Sequence, residues 1–170
     1  MIVLLNGAFG IGKTTVAREL VSRLPRAILY DPELAGIAMQ RVVRVEDFQD
    51  LKIWRRFTIL ALRATRLLWP NVIVPMAFSN VDYLREIQSG VARFESRSYH
   101  VCLVAPVEVV YDRLRTRRLE PRDAEWQFRR AAECCVAHQQ PAFAAHVHAA
   151  DRSVSEIADE ILRLVNKARA

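Results

Sequence analysis

The segment Gly7-Ala8-Phe9-Gly10-Ile11-Gly12-Lys13-Thr14 constrains this chain more than any other. It matches the pattern GxxxxGK[ST], follows an apolar run at residues 2–5 and opens a helical pattern. The glycines let successive backbone N–H groups, those of Ala8, Phe9 and Ile11 among them, turn inward on a phosphate, and the positive end of the following helix adds to the attraction. Lys13 supplies a mobile cation for the β- and γ-phosphates, Thr14 a hydroxyl for Mg²⁺, and Thr15 reaches the α-phosphate. The expected ligand is ATP or GTP taken up with Mg²⁺. A chance glycine turn before a helix is the alternative, and the flanking strand and helix patterns weigh against it.

The rest of the chain fits that beginning. Short β-branched or aliphatic runs at 2–5, 27–30, 72–74, 99–104 and 146–148 alternate with helical patterns at 13–24, 32–40, 47–69, 80–94, 107–119, 124–137 and 153–168. Alternation of this kind predicts a parallel sheet with helices on both faces. With 170 residues, 52% of them hydrophobic and 26% charged, one domain over 1–170 with a sizeable core is expected. Ser153 and Glu156 form a capping-box signature for the last helix, whose apolar stripe packs on the sheet or, alternatively, touches a membrane. Three cysteines without metal-type spacing, and no segment resembling a leader or a span, lead to the expectation of a cytoplasmic protein, with peripheral attachment at the inner membrane surface kept open. His138, His146 and His148 lack a third ligand of clear spacing, and no metal site is assigned to them.

Absent signals narrow the chemistry. Neither residues 72–76 nor 101–106 end in the acidic residue of a Walker B strand, which argues against a motor-type ATPase, and no guanine-reading segment argues for a GTPase switch. A small kinase fits better. The excess of 25 basic over 19 acidic residues is almost wholly arginine, suited to phosphate contacts. No nucleic-acid reading motif accompanies it, so no nucleic-acid partner is expected.

After the second strand pattern stands Tyr30-Asp31-Pro32-Glu33, at the sheet edge where open α/β folds bind ligands. Asp31 either accepts a proton from a substrate hydroxyl or caps the helix that Pro32 begins, with Glu33 beside it as a substrate contact. Downstream, Trp54 and Phe57 share a helical face and are expected in the core, although Trp54 remains a candidate to grip a ring; Arg55 is the better ligand candidate. An arginine-rich stretch contains Arg113 and Arg117, four apart on one face, so both can address one nucleotide across a lid at about 117–125. Arg117 is the cation expected at the γ-phosphate, the alternative being a solvated helix face. Asp151 follows the last strand and is expected to line the adenine pocket or to help start the final helix.

Taken together, the loop from Leu5 to Thr14, Tyr30-Asp31-Pro32-Glu33, Asp47-Phe48-Gln49, Trp54-Arg55 and Val74-Pro75-Met76 resemble the bacterial tunicamycin-resistance proteins. The resemblance implies a three-layer P-loop NTPase fold of the nucleotide/shikimate-kinase type, with a five-stranded parallel sheet and an arginine-rich lid. It implies ATP binding and resistance to a uridine-containing nucleoside antibiotic, with Asp31 beside the acceptor, Arg113 and Arg117 in the lid, and Met76 on the substrate side. The expected activity is transfer of a phosphoryl group to a hydroxyl of tunicamycin or a related nucleoside or sugar compound. Sequestration of the drug without chemistry and a nucleoside or nucleotide kinase are the alternatives.

Overall fold

The computed structural model describes residues 1–34, 36, 45, 47–116 and 121–168, with the side chains of 121–123 left aside. Five strands, β1 (Ile2–Gly7), β2 (Ala27–Leu29), β3 (Asn71–Met76), β4 (Ser98–Val104) and β5 (His146–His148), form one sheet in the order β2-β3-β1-β4-β5. All four pairings are parallel. β1 is buried throughout, which is why it reads as an unbroken apolar run rather than an alternating one. β3 tolerates Pro75 for a topological reason. Val72 N–H points to β1, so the odd positions face β2, and the β2 ladder ends with Tyr30 N–H on the Ile73 carbonyl. Position 75 lies beyond the last β2–β3 pair, Leu29 with Ile73, where a missing N–H breaks no ladder bond within the paired residues.

Helices α1 (Lys13–Arg23), α2 (Lys52–Leu68), α3 (Val81–Ala92), α4 (Val107–Arg115), α5 (Pro121–Ala137) and α6 (Val154–Lys167) cover both faces. On one side Val3, Leu5, Leu103 and Val147 meet Val16 and Leu20 of α1, Val110 and Leu114 of α4 and Ile157 and Ile161 of α6. On the other, Ile2, Leu4, Val72 and Val74 meet Trp54 and Leu62 of α2 and Leu84, Ile87 and Val91 of α3. The chain leaves β1 for β2 and β3 on one side and crosses to β4 on the other, so the carboxyl end of β1 is the point where the winding reverses and a crevice opens.

Two expected helices differ in extent. The pattern at 47–69 divides: Asp47 caps a 3₁₀ turn, Phe48–Asp50, by accepting from Gln49 N–H, Leu51 is extended, and α2 then begins at Lys52. An aspartate bonded to the backbone two residues ahead competes with the helix ladder, and here it wins. α5 starts at Pro121 rather than 124, proline being well suited to a first helical position. The capping box at Ser153 and Glu156 forms as expected. Residues 35, 37–40 and 117–119 of the expected helices lie outside the described residues.

Candidate active site

The loop between β1 and α1 is shaped by its glycines. Gly10 (φ 85°) and Gly12 (φ 105°) occupy the left-handed region, where a side chain is strained, and a Cβ on Gly10 would lie 2.6 Å from Leu114. Gly12 is the N-cap residue of α1 and offers no side-chain acceptor, so the first-turn N–H groups of the helix stay available to an anion. Lys13 is buried; its Nζ donates to the Ala8 carbonyl at 3.0 Å and sits 5.3 Å from the centre of the Phe9 ring. Thr14 and Thr15 expose their side chains at the top of the helix.

Opposite the loop, the turn after β2 brings two carboxylates to the crevice. Asp31 Oδ1 accepts from Glu33 N–H at 3.0 Å, the capping geometry. Glu33 is the more unusual group: its Oε1 is buried without a hydrogen-bond partner. Burial pushes its carboxyl pKa up, Asp31 and Asp47 push the same way, and Lys13 with the Ala77 N–H pulls against them. Glu33 is thus electrostatically coupled to the phosphate-loop lysine.

Beside these residues lies a cavity of about 450 Å³, lined among others by Asp47, Gln49, Tyr83, Trp126, Arg130 and Glu133. Arg130 Nη2 is 3.0 Å from Asp47 Oδ2 and Nη1 donates to Glu133 at 2.6 Å, while its buried Nε has no partner. Burial raises the Asp47 carboxyl pKa, against the Gln49 N–H and Arg130. Tyr83 donates its hydroxyl to Asp50, a further lining residue, at 3.1 Å. The Trp126 ring meets Phe9 of the phosphate loop edge to face at 5.2 Å, so the cavity wall and the loop touch.

Several expected contacts stand behind this cavity rather than in it. Trp54 is fully buried, its indole N–H donating to the Pro32 carbonyl at 3.1 Å and its ring packed on Phe48 and Phe78. Arg55 corrects its expected role: it is buried, donates from Nε to Glu86 at 2.7 Å and from Nη1 to the Gln49 carbonyl at 2.6 Å, and lies 4.0 Å over the Tyr83 ring. It braces two lining residues instead of meeting a ligand. Met76 is likewise buried. Phe57, expected in the core with Trp54, points outward because the buried stripe of α2 runs through 54, 55, 58 and 62.

Arg113 donates to the Ile11 carbonyl and to the Ala149 carbonyl, both at 2.8 Å, tying the phosphate loop to the segment after β5. Asp151 is exposed on that segment, in the left-handed region (φ 51°). Arg115 pairs with Asp112 on the surface. Arg117 lies outside the described residues.

A buried network that the sequence did not suggest holds the crevice. Asn6, at the end of β1, donates to the Phe78 carbonyl at 3.0 Å and accepts from Phe78 N–H at 2.9 Å. His138, at the end of α5, lies with Nε2 2.7 Å from the same carbonyl and therefore donates to it. Burial lowers the His138 pKa to about 4. Tyr83 and Trp126 were also missed, since an aromatic on a helix reads as core until its neighbours are known. Among the described residues no group of three or more His, Cys, Asp or Glu side chains is placed to hold a metal ion. Mg²⁺ bound with a nucleotide needs few protein ligands, and the exposed Thr14 hydroxyl suits that demand.

A family model described as an AAA domain matches residues 2–155. The chain is similar to the tunicamycin resistance protein of Deinococcus radiodurans, with 26% identity and a TM-score of 0.74 over 96% of this chain and 94% of that one. It is similar in fold to a gluconokinase from Sinorhizobium meliloti 1021 (14% identity, TM-score 0.70, 98% and 91% covered). The same holds for a shikimate kinase from Acinetobacter baumannii (19% identity, TM-score 0.60, 98% and 93% covered). No curated protein matches the chain. The fold is that of the P-loop NTPase kinases.

Proposed function

Because the chain belongs to this AAA-domain family, we propose that it is an ATP- and Mg²⁺-dependent phosphotransferase that acts on a hydroxyl of a neutral, nucleoside-like or sugar-containing small molecule, tunicamycin being the first acceptor to try. The observation that carries this reading is the juxtaposition of a phosphate loop, a coupled buried carboxylate and a polar cavity that touches the loop through Phe9 and Trp126. The similarity to a tunicamycin resistance protein supports the choice of acceptor.

Each residue has a role in this scheme. The loop amides and Lys13 hold the triphosphate, Lys13 leaving the Ala8 carbonyl for the γ-phosphate. Thr14 is the protein ligand to Mg²⁺, which supplies charge neutralisation between the phosphates when bound. Glu33 accepts the proton of the acceptor hydroxyl. Its raised pKa makes it a stronger base than an ordinary carboxylate, and its buried Oε1 has no other hydrogen bond to give up. Asp31 holds Glu33 in position through the N–H it caps. Arg113 and the segment around Asp151 frame the base, and Arg117 is the lid cation.

The charges in the cavity select a neutral acceptor. Arg130 is already matched by Asp47 and Glu133, and the lining carries three carboxylates, Asp47, Asp50 and Glu133, against two guanidiniums. A sugar acid would meet excess negative charge, whereas the ring of a neutral acceptor can lie against Tyr83 or Trp126. Incubation with ATP, Mg²⁺ and a panel of tunicamycin, uridine, N-acetylglucosamine, gluconate and shikimate, read by ADP release and product mass, tests the reading. Gain of one phosphoryl group on a neutral acceptor is expected. Tight binding of the drug with unchanged mass would favour sequestration, and turnover confined to the acids would overturn the acceptor class.

A further inference from the structure

Ala77 and Phe78 follow β3 at its carboxyl end, and the backbone groups of both are taken by side chains from elsewhere around the crevice. Ala77 turns its N–H to the Glu33 carboxyl. Its carbonyl accepts from Gln49 Nε2 at 3.2 Å and from Cys134 Sγ at 3.7 Å. Phe78 donates its N–H to Asn6 Oδ1 at 2.9 Å, and its carbonyl accepts from Asn6 Nδ2 at 3.0 Å and from His138 Nε2 at 2.7 Å. The end of β1, the turn after β2, the 3₁₀ turn and α5 thus all meet on these two residues. Backbone groups are more commonly satisfied by other backbone groups.

Asn6 has a particular part in this. It is fully buried and pairs with Met76 in the last step of the β1–β3 ladder, after which its chain goes on into the phosphate loop. The side-chain amide extends the ladder where the main chain leaves it: a donor and an acceptor side by side answer the C=O and N–H of Phe78 as a strand backbone would. Asp lacks the donor and Ala lacks both groups. His138 fills the second lone pair of the same carbonyl. A buried polar network that is fully satisfied is rigid, and one left partly unpaired is costly.

We propose that Asn6 is the positioning residue of Glu33: its amide locks the end of β3 to the start of the phosphate loop, and Ala77, one peptide unit away, holds the Glu33 carboxyl in place relative to that loop. That this placement matters for turnover rests on Glu33 being the base, as proposed above; the placement itself does not. Glu33 is faced by Lys13 of α1, by Asp31 of its own turn, by Asp47 before the 3₁₀ turn and by the Ala77 N–H. Lys13 and the N–H draw its pKa down, whereas burial and the two aspartates draw it up, so a carboxyl that loses the N–H titrates higher.

NMR titration of the Glu33 carboxyl in the full chain, its resonance assigned by its disappearance in Glu33→Gln, reads the lock without any acceptor. Asn6→Ala is expected to move this titration upward. Val91→Ala, a core truncation on the same face of the sheet, is expected to lower stability and leave the titration in place. With tunicamycin and ATP, Asn6→Ala is expected to lower kcat about tenfold or more, to change ATP affinity less than that, and to add nothing in the Glu33→Gln background. Circular dichroism checks the fold, and where Asn6→Ala does not fold, Asn6→Ser, which keeps one hydrogen-bonding group, decides by the same titration. The proposal is overturned if the folded Asn6 variant leaves the Glu33 titration where it was, or if Val91→Ala moves it equally. A shifted titration together with full turnover by Glu33→Gln upholds the lock and overturns the assignment of Glu33 as the base.

Discussion

Glu33 is a buried carboxyl with an unpartnered oxygen beside the phosphate loop. Its carboxyl is held above the ordinary carboxylate range by burial, with Lys13 as the opposing positive charge. If it is the base, the acid limb of the kcat profile lies above the usual carboxylate pKa. Glu33→Gln should then lower kcat about 10²-fold or more, within the range of general-base contributions, while ATP affinity stays close to its original value. Stopped-flow or steady-state ADP release across pH reads both. The same burial has a stability consequence of defined sign. A carboxyl whose folded pKa is raised favours the folded state while protonated, so stability falls as pH rises from the unfolded value through the folded one. Glu33→Gln removes that fall, and denaturant titrations of the two proteins across the window should show it. His138 behaves oppositely. Its folded pKa of about 4 lies below the ordinary 6.5, so its contribution is complete above 6.5 and is lost as pH falls toward 4, about 3 kcal/mol in all. Urea unfolding at pH 7 and pH 4 compares these limits, and His138→Gln should flatten the difference.

At the scale of elements, α2 reaches the turn that carries Asp31 and Glu33 through a hydrogen bond from the Trp54 indole to the Pro32 carbonyl. Trp54→Phe keeps most of the packing with Phe48 and Phe78 and removes the donor. It should cost about 1–2 kcal/mol of stability and lower kcat more than it changes the KM for ATP, a split that steady-state kinetics measures. The strands, the order of helices and the phosphate loop were legible from residues 2–14 and from alternation, because buried parallel strands and a glycine turn before a helix leave strong local patterns. The side of the cavity was not. Arg55 reads as a ligand until Glu86, thirty-one residues away, is seen to bind it, and Trp126 reads as core until Phe9 is found beside it. Pairings across such distances leave no periodicity in the sequence. Asp31 kept two readings for the same reason: its cap is local, whereas the position of Glu33 next to Lys13 depends on the whole sheet.

Considered as one molecule, the site is assembled where β1 ends, and Arg113 joins two distant stretches of chain, at Ile11 and Ala149, in one clamp. Arg113→Ala should therefore loosen the phosphate loop itself: ATP affinity falls about tenfold or more, since two charge-assisted bonds are lost, and the thermal midpoint gained on adding nucleotide shrinks with it. Calorimetry with and without Mg-ATP measures both effects. The edge contact between Phe9 and Trp126 has a different consequence. One aromatic belongs to the wall that would receive the nucleotide and the other to the wall that would receive the acceptor. Whatever either occupant does to this pair, the other must feel to the same extent, because thermodynamic linkage has no preferred direction. Any synergy or antagonism that reaches one subsite from the other through these rings is therefore equal in both directions, whichever partner binds first.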